Sequence, residues 1–274
     1  MEYARNMNVD SAISLASFII EQLYGDCLNV EQWLEDCHVL EIAVEKWAKP
    51  NKKTLVHEYI KDLYLESQEY SLGKHFPVVE IKEMQKLLDN YDVDYSSIGK
   101  VDVSEMDDDD CPSDELEEYA KRLQSFYIDS ILDTVVDDAF SILYMDKNFM
   151  HEFNLQCAKI IQGLKKEDYP DLLKEDGVIK RVSYYPKWFK RGIQYRDKCR
   201  CSICGCDLSS AFTTIVDENF DHIIPLNCGG NNDPSNWQLT CESCNKSKGA
   251  RSSKFKNIVF PFWKMDDVDK KRRT

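Results

Sequence analysis

Between residues 201 and 249 the chain reads Cys201-Ser202-Ile203-Cys204-Gly205, then Asp221-His222-Ile223-Ile224-Pro225. Gly229-Gly230 and Asn236 follow, and the stretch closes on Cys241-Glu242-Ser243-Cys244-Asn245-Lys246-Ser247-Lys248-Gly249. Two Cys-x2-Cys pairs can give four thiolates to one tetrahedral Zn2+, each pair supplying half of the ligand set. Cys201, Cys204, Cys241 and Cys244 are therefore the expected zinc ligands. A four-thiolate site leaves no position open for water, so the expected ion is structural. The interval from Cys204 to Cys241 is longer than in a compact zinc finger and calls for a hairpin between the two knuckles. Cys199 and Cys206 lie close enough to compete, but the x2 spacing suits a knuckle and Gly205 permits the turn after its second ligand. Cys199, Cys206 and Cys228 are left out of the set, with Cys206 the standing competitor.

The rest of the chain frames this stretch. Seven of its eleven cysteines lie between Cys199 and Cys244. An odd total without a secretory signal favours metal over a disulfide framework. The apolar run Ser11–Ile20 is short, follows acidic residues and lacks a basic n-region, so it does not read as a signal peptide. No apolar run approaches the ~20 residues that span a bilayer. With 43% hydrophobic and 31% charged residues, disorder, collagen and a mucin-like stalk are excluded. The expectation is a soluble cytoplasmic protein. Its 274 residues imply one large or two modest domains.

The formal charge of −14 hides a division. Residues 181–274 hold 17 Lys+Arg and 10 Asp+Glu, a net of +7, while residues 1–180 hold 18 bases and 39 acids, a net of −21. The expected domains are accordingly an acidic α-helical part, 1–180, and a basic part, 181–274, with Gly177 and Pro186 bracketing the junction. A basic end on an acidic body suggests a nucleic-acid contact in the smaller part. In the acidic part, Asn29 with Gln32 forms a capping signature ahead of Trp33, Leu34, Val39, Leu40, Ile42, Ala43 and Trp47. Leu116, Tyr119, Leu123, Tyr127, Ile131, Val135, Ala139 and Ile142 predict a helix of some thirty residues. Phe76–Ile81 reads as a short β-rich run. Ten acidic residues and no basic one lie between Asp102 and Glu118, without the central Gly and ligand spacing of a calcium loop. Asp129, Asp133 and Asp137 stand one turn apart, either a solvated face or a surface for a basic partner. After Pro186, the apolar side chains of Trp188, Phe189, Ile193 and Tyr195 interleave with Lys187, Lys190, Arg191 and Arg196, fit for packing onto the next module or for touching nucleic acid.

Taken in order, Cys-x2-Cys-Gly, Asp-His-x-x-Pro, Gly-Gly, Asn and Cys-x2-Cys-Asn-x2-Lys-Gly resemble the HNH endonucleases. The resemblance covers about 70 residues, roughly 187–256. It departs at Trp237 and Thr240, where the family usually has leucines, a change of packing that leaves the site residues in place. It implies an α+β chain ending in a zinc-stabilised ββα-metal (treble-clef) module. By the same resemblance His222 is the general base, Asp221 and Asn245 hold a catalytic Mg2+ or Mn2+, and Asn236 fixes the loop that aims His222. The chemistry is sound on its own terms. An imidazole takes a proton from water near neutrality, and carboxylate and amide oxygens suit Mg2+. Lys246, Lys248 and Arg251 follow directly, with Lys254 and Lys256, and can lie along phosphates. Lys270–Arg273 form a basic tail.

The expected activity is metal-assisted hydrolysis of DNA phosphodiester bonds, leaving 5′-phosphate and 3′-hydroxyl ends, with RNA as another possible substrate. The rival expectation is a zinc-bearing nucleic-acid-binding protein without catalysis, which would lack the Asp-His pair or the final Asn. The acidic part is expected to restrain or recruit the nuclease. By analogy, bacterial defence nucleases that work beside a partner ATPase share this layout.

Overall fold

The structure, a computed structural model, describes residues 6–25, 28–73, 77–106, 113–209, 218–249 and 252–256. Its first helices are α1 (Val9–Tyr24), α2 (Val30–Trp33), α3 (Cys37–Ala48), α4 (Leu55–Gly73) and α5 (Pro77–Asn90). Next come α6 (Asp114–Tyr127), a π-helical segment (Ile128–Leu132), α7 (Asp133–Met145) and α8 (Lys147–Gly163). The C-terminal part holds β1 (Leu173–Glu175), β2 (Val178–Ile179), α9 (Lys187–Arg196), β3 (Glu218–His222), β4 (Trp237–Cys241) and α10 (Glu242–Lys248). The class is α+β, mostly helical with a small C-terminal ββα module.

The chain divides into two compact units, residues 1–33 with 55–143 and residues 34–54 with 144–274. The second unit is interrupted in sequence by the long segment 55–143. Counted by unit, the first carries a net charge of −20 and the second +6. The charge division thus follows the units, and residue 180 lies inside the second of them.

In the first unit, α6 opens at Ser113, whose hydroxyl accepts from Leu116 N at 3.2 Å, and Asp114, Glu115 and Glu117 sit in its first turn. Carboxylates there offset the positive end of the helix dipole. Asp107–Asp110 lie outside the described residues. From Tyr119 through Ala139 the apolar positions recur every four residues, so in a straight α-helix each would rotate about 40° beyond the last. The wider π segment absorbs this drift. Tyr119, Leu123, Tyr127, Ile131, Val135 and Ala139 all remain buried. The single thirty-residue helix is therefore two α-helices joined by a π segment, and Leu143 takes the buried place expected of Ile142.

Two further expectations need correction. The β-rich run is instead the opening of α5, with Phe76 outside the described residues. Pro77 has its φ preset for a first helical turn, and Val78, Ile81, Met84 and Leu88 are buried at helical spacing, which outweighs the β preference of Val and Ile. The segment after Asn29 is two helices. Asn29 Oδ1 accepts from Gln32 N at 3.1 Å and Gln32 Oε1 accepts from Asn29 N at 3.3 Å, a reciprocal cap for one turn only. Asp36 then caps α3 through His38 N and Val39 N. On the acidic face, Asp133 meets Lys61 at 3.4 Å and Asp137 meets His57 at 3.5 Å. Those two acids find basic partners within their own unit.

In the second unit, β3 and β4 pair antiparallel, with Glu218 opposite Cys241 and His222 opposite Trp237. The period of two puts Trp237, Leu239 and Cys241 in the core with Phe189 and Ile193 of α9. Gln238 and Thr240 face the other way. The α9 rings thus serve packing where they point inward, while Tyr195 is 83% exposed. A second hairpin pairs Leu173 of β1 with Ile179 of β2. Gly177 turns it at φ 68°, where a Cβ would stand 3.0 Å from Gln162 O. Gly229, at φ 82°, would put a Cβ 2.6 Å from Ala158 O of α8, and Gly230 would drive one into Ile224 O, so α8 demands the first glycine and the turn's own backbone the second.

Candidate functional site

The sulfur atoms of Cys201, Cys204, Cys241 and Cys244 all lie within 4.8 Å of one another. The first knuckle is a tight turn in which Cys201 N donates to Cys206 O and Gly205 N to Cys201 O, with Gly205 at φ 81°. Cys206 therefore contributes a carbonyl to the knuckle, and its thiol is not among the clustered four. Burial would raise the Cys201 thiol, but backbone N–H groups of Cys204, Cys241 and Ile203 outweigh it and bring it to about 6. Cys244 is pushed the opposite way by burial and by its neighbouring thiols. Four thiols this close cannot all ionise unaided, and a divalent cation removes that conflict. The donor set fits structural zinc.

β3 ends on Asp221 and His222 and delivers both to a cleft of about 330 Å3 that Asn245 of α10 also lines. Asn236 sets the loop between the strands. Its Nδ2 donates to Ile224 O at 3.0 Å and Asn231 O at 2.9 Å, and its Oδ1 accepts from Ile224 N at 2.8 Å. The backbone leaving His222 is thus held from both sides. The imidazole is 1% exposed and lies against the Trp237 ring, centroids 3.7 Å apart.

The orientation of Asn232 assigns the proton on His222. Asn232 Nδ2 donates to Lys180 O at 2.8 Å, Trp47 O at 3.2 Å and Ala48 O at 3.3 Å, so its amide cannot be turned round. Its Oδ1 therefore faces His222 Nε2 at 3.4 Å and accepts the proton there. Nδ1 is left as the lone-pair nitrogen, with no hydrogen-bond partner among the described residues. Burial lowers the His222 pKa well below its ordinary 6.5, Arg181 lowers it further, and the Asn232 contact opposes both only in part. The ring is a neutral base across the physiological range.

Residues 201–251 match the family model described as HNH endonuclease. The C-terminal module is an HNH endonuclease domain. No curated protein and no solved structure is similar enough to the chain to count as a match.

Within the HNH domain the basic residues expected along phosphates take different places. Lys248 is buried, with Nζ 2.8 Å from Asp221 Oδ2 and donating to His222 O at 2.6 Å. Lys246 pairs with Glu242 on its own helix, and both are exposed. Lys254 and Lys256 are exposed, whereas Arg251 and Lys270–Arg273 lie outside the described residues. Asp221 Oδ2 also accepts from Gln238 Nε2 at 3.2 Å, which leaves Oδ1 as its uncommitted oxygen among the described residues. The pair of Asp221 Oδ1 and the Asn245 amide suits a hard divalent cation that keeps most of its waters.

Behind the knuckle, a buried cluster braces the HNH domain against α8. The Asp197 carboxylate accepts from Lys147 Nζ at 2.9 Å, Arg196 Nε at 2.9 Å, Ser202 Oγ at 2.9 Å and Leu239 N at 2.7 Å. Arg196 also donates to Trp237 O and lies over the Tyr144 ring at 4.7 Å. Burial alone would raise the Asp197 carboxyl, but Arg196 and then Lys147 hold it at about 2. The same burial pulls Lys147 below the usual lysine range. The Arg196–Asp197 pair therefore carries the charge balance.

Asn232 and the Asp197 cluster escape a reading of the sequence. Asn232 stands 185 residues from one of its anchors, and no local pattern announces such a contact.

Proposed function

We propose that this chain is a metal-dependent endonuclease that hydrolyses DNA phosphodiester bonds. The observation that carries the proposal is that His222, a buried neutral base whose Nδ1 has no partner among the described residues, lines one cleft together with Asp221 and Asn245. His222 takes the proton from the attacking water at Nδ1, with Nε2–H kept on Asn232. Trp237 and the loop held by Asn236 fix the ring's direction. Asp221 and Asn245 would hold Mg2+ or Mn2+, which when bound stabilises charge on the leaving 3′ oxygen.

Incubation with plasmid DNA and Mg2+ or Mn2+ tests the reading. Cleavage that stops with EDTA and in the His222→Ala protein is the expected result. One observation favours a second reading, a zinc-bearing nucleic-acid-binding protein without catalysis. The Asp221 carboxylate is already neutralised by Lys248, which weakens its pull on a cation. DNA binding without metal-dependent cutting would establish that reading instead. In the nuclease reading the acidic unit, net −20, restrains the HNH domain or recruits it to a partner such as an ATPase, and the setting is antiphage defence.

A further inference from the structure

Two cations that line the His222 cleft come from outside the matched nuclease motif: Lys174 on β1 and Arg181, two residues after β2. Both side chains are exposed, and neither makes a hydrogen bond or ion pair with a protein group among the described residues. Their neighbours are committed. Lys165 pairs with Asp176, Lys180 donates to Pro170 O, and Lys248 is spent on Asp221. Since Lys248 already cancels Asp221, Lys174 and Arg181 leave the cleft with surplus positive charge, which suits an anion.

The cations stand on a fixed support. Leu173 and Ile179 are buried, the hairpin turn donates from Gly177 N to Leu164 O, and Lys180 O is gripped by the Asn232 amide. Arg181 therefore leaves the backbone one residue beyond the carbonyl that helps orient the residue holding His222. We infer that Lys174 and Arg181 bind nucleic-acid backbone phosphates flanking the bond that His222 faces. Arg181 offers the planar fork that matches phosphate oxygens, and Lys174 a point charge. The inference deepens the nuclease reading and rests on it for the identity of the ligand. DNA is the occupant, and a duplex RNA of equal length serves as the competing source of the same phosphates.

The test uses the full chain without added divalent ion, so that binding is read apart from cutting. Labelled DNA and RNA duplexes are titrated at several salt concentrations. Replacing both residues (Lys174→Gln with Arg181→Gln) should weaken DNA binding tenfold or more at low salt. It should also flatten the log–log salt dependence by about one per residue removed. Lys165→Gln, the same charge change on an already paired lysine, should leave that slope alone. Arg181→Lys should keep the slope while losing part of the affinity. Unchanged affinity and slope in the double variant would overturn the inference, as would tighter binding of RNA than DNA. Cleavage by the parent chain is scored separately. A parent that binds DNA through these residues but never cuts it removes the nuclease reading and keeps the phosphate site.

Discussion

Asp197 and His222 both lie in the second unit, 7% and 1% exposed, yet one is surrounded by donors and the other is kept short of them. Asp197 accepts from a lysine, an arginine, a serine and a backbone amide. His222 has one long contact at 3.4 Å and an Nδ1 with none among the described residues. A buried polar atom without a partner costs about 1–3 kcal/mol, so the incomplete site lowers stability relative to a completed one. The four cysteines resemble Asp197 in being closed, for once thiolates fill a tetrahedron no water enters. Closed polar sites hold the module together, and in the nuclease reading the incomplete one is kept for substrate.

The comparison breaks most visibly at the closed sites. Elemental analysis should find one zinc per chain. Cys201→Ser or Cys244→Ser should lose the ion and unfold β3, β4 and α10, because structural zinc supplies on the order of 10 kcal/mol of apparent folding energy. Full zinc content with protease-resistant modules in both variants would mean that other residues hold the metal. His222→Ala should do the reverse, cutting the cleavage rate by roughly 10²–10⁴ while zinc content and circular dichroism stay as they were. Asn245→Ala should also slow cleavage, with partial recovery at higher Mg2+.

Asp197→Ala leaves Arg196 and Lys147 buried without their anion and should cost about 3–5 kcal/mol in urea unfolding. Equal stability to the parent would dissolve the contrast between the two sites. Asn232→Ala frees the ring that it orients. A fall in kcat of about tenfold, some 1.4 kcal/mol, is expected with little change in KM. The smallest effect concerns pH. His222 is held below 6.5, so the base stays unprotonated as pH falls to that value and the acid limb of kcat/KM lies under pH 6.5. The unfolded chain binds the proton more readily, so His222 also contributes to a loss of stability as pH drops below about 6.5. An acid limb above pH 7 would show that another group is the base.

How much of this was legible depended on sequence distance. The knuckles and the Asp-His pair are visible because ligands and site residues sit one to three places apart, where spacing itself is geometry. The helix from Leu116 is visible as periodicity, but its division into two α-helices and a π segment comes from the fold. The strand expected near Ile81 failed because burial of Val78, Ile81 and Met84 on one helical face outranks intrinsic preference. The role of Lys248 was hidden for another reason. A lysine beside exposed lysines looks like surface until the fold brings Asp221 within 2.8 Å. Asn232, Lys174 and Arg181 carry no mark at all, since what defines them is a cleft assembled from separate segments.

The hydrogen bond from Asn232 to Trp47 O spans 185 residues, and the ribosome makes its two ends in order. At about 5–20 residues per second, roughly 10–40 s separate the synthesis of Trp47 from that of Asn232. During that interval the carbonyls of Trp47 and Ala48 wait while the whole intervening segment, 55–143, is made and can fold. Every chain still being translated short of Asn232 lacks the group that orients His222. A half-made copy consequently holds no half-built cleft, and a cell making this protein meets the finished cleft only after the acidic unit has been synthesised.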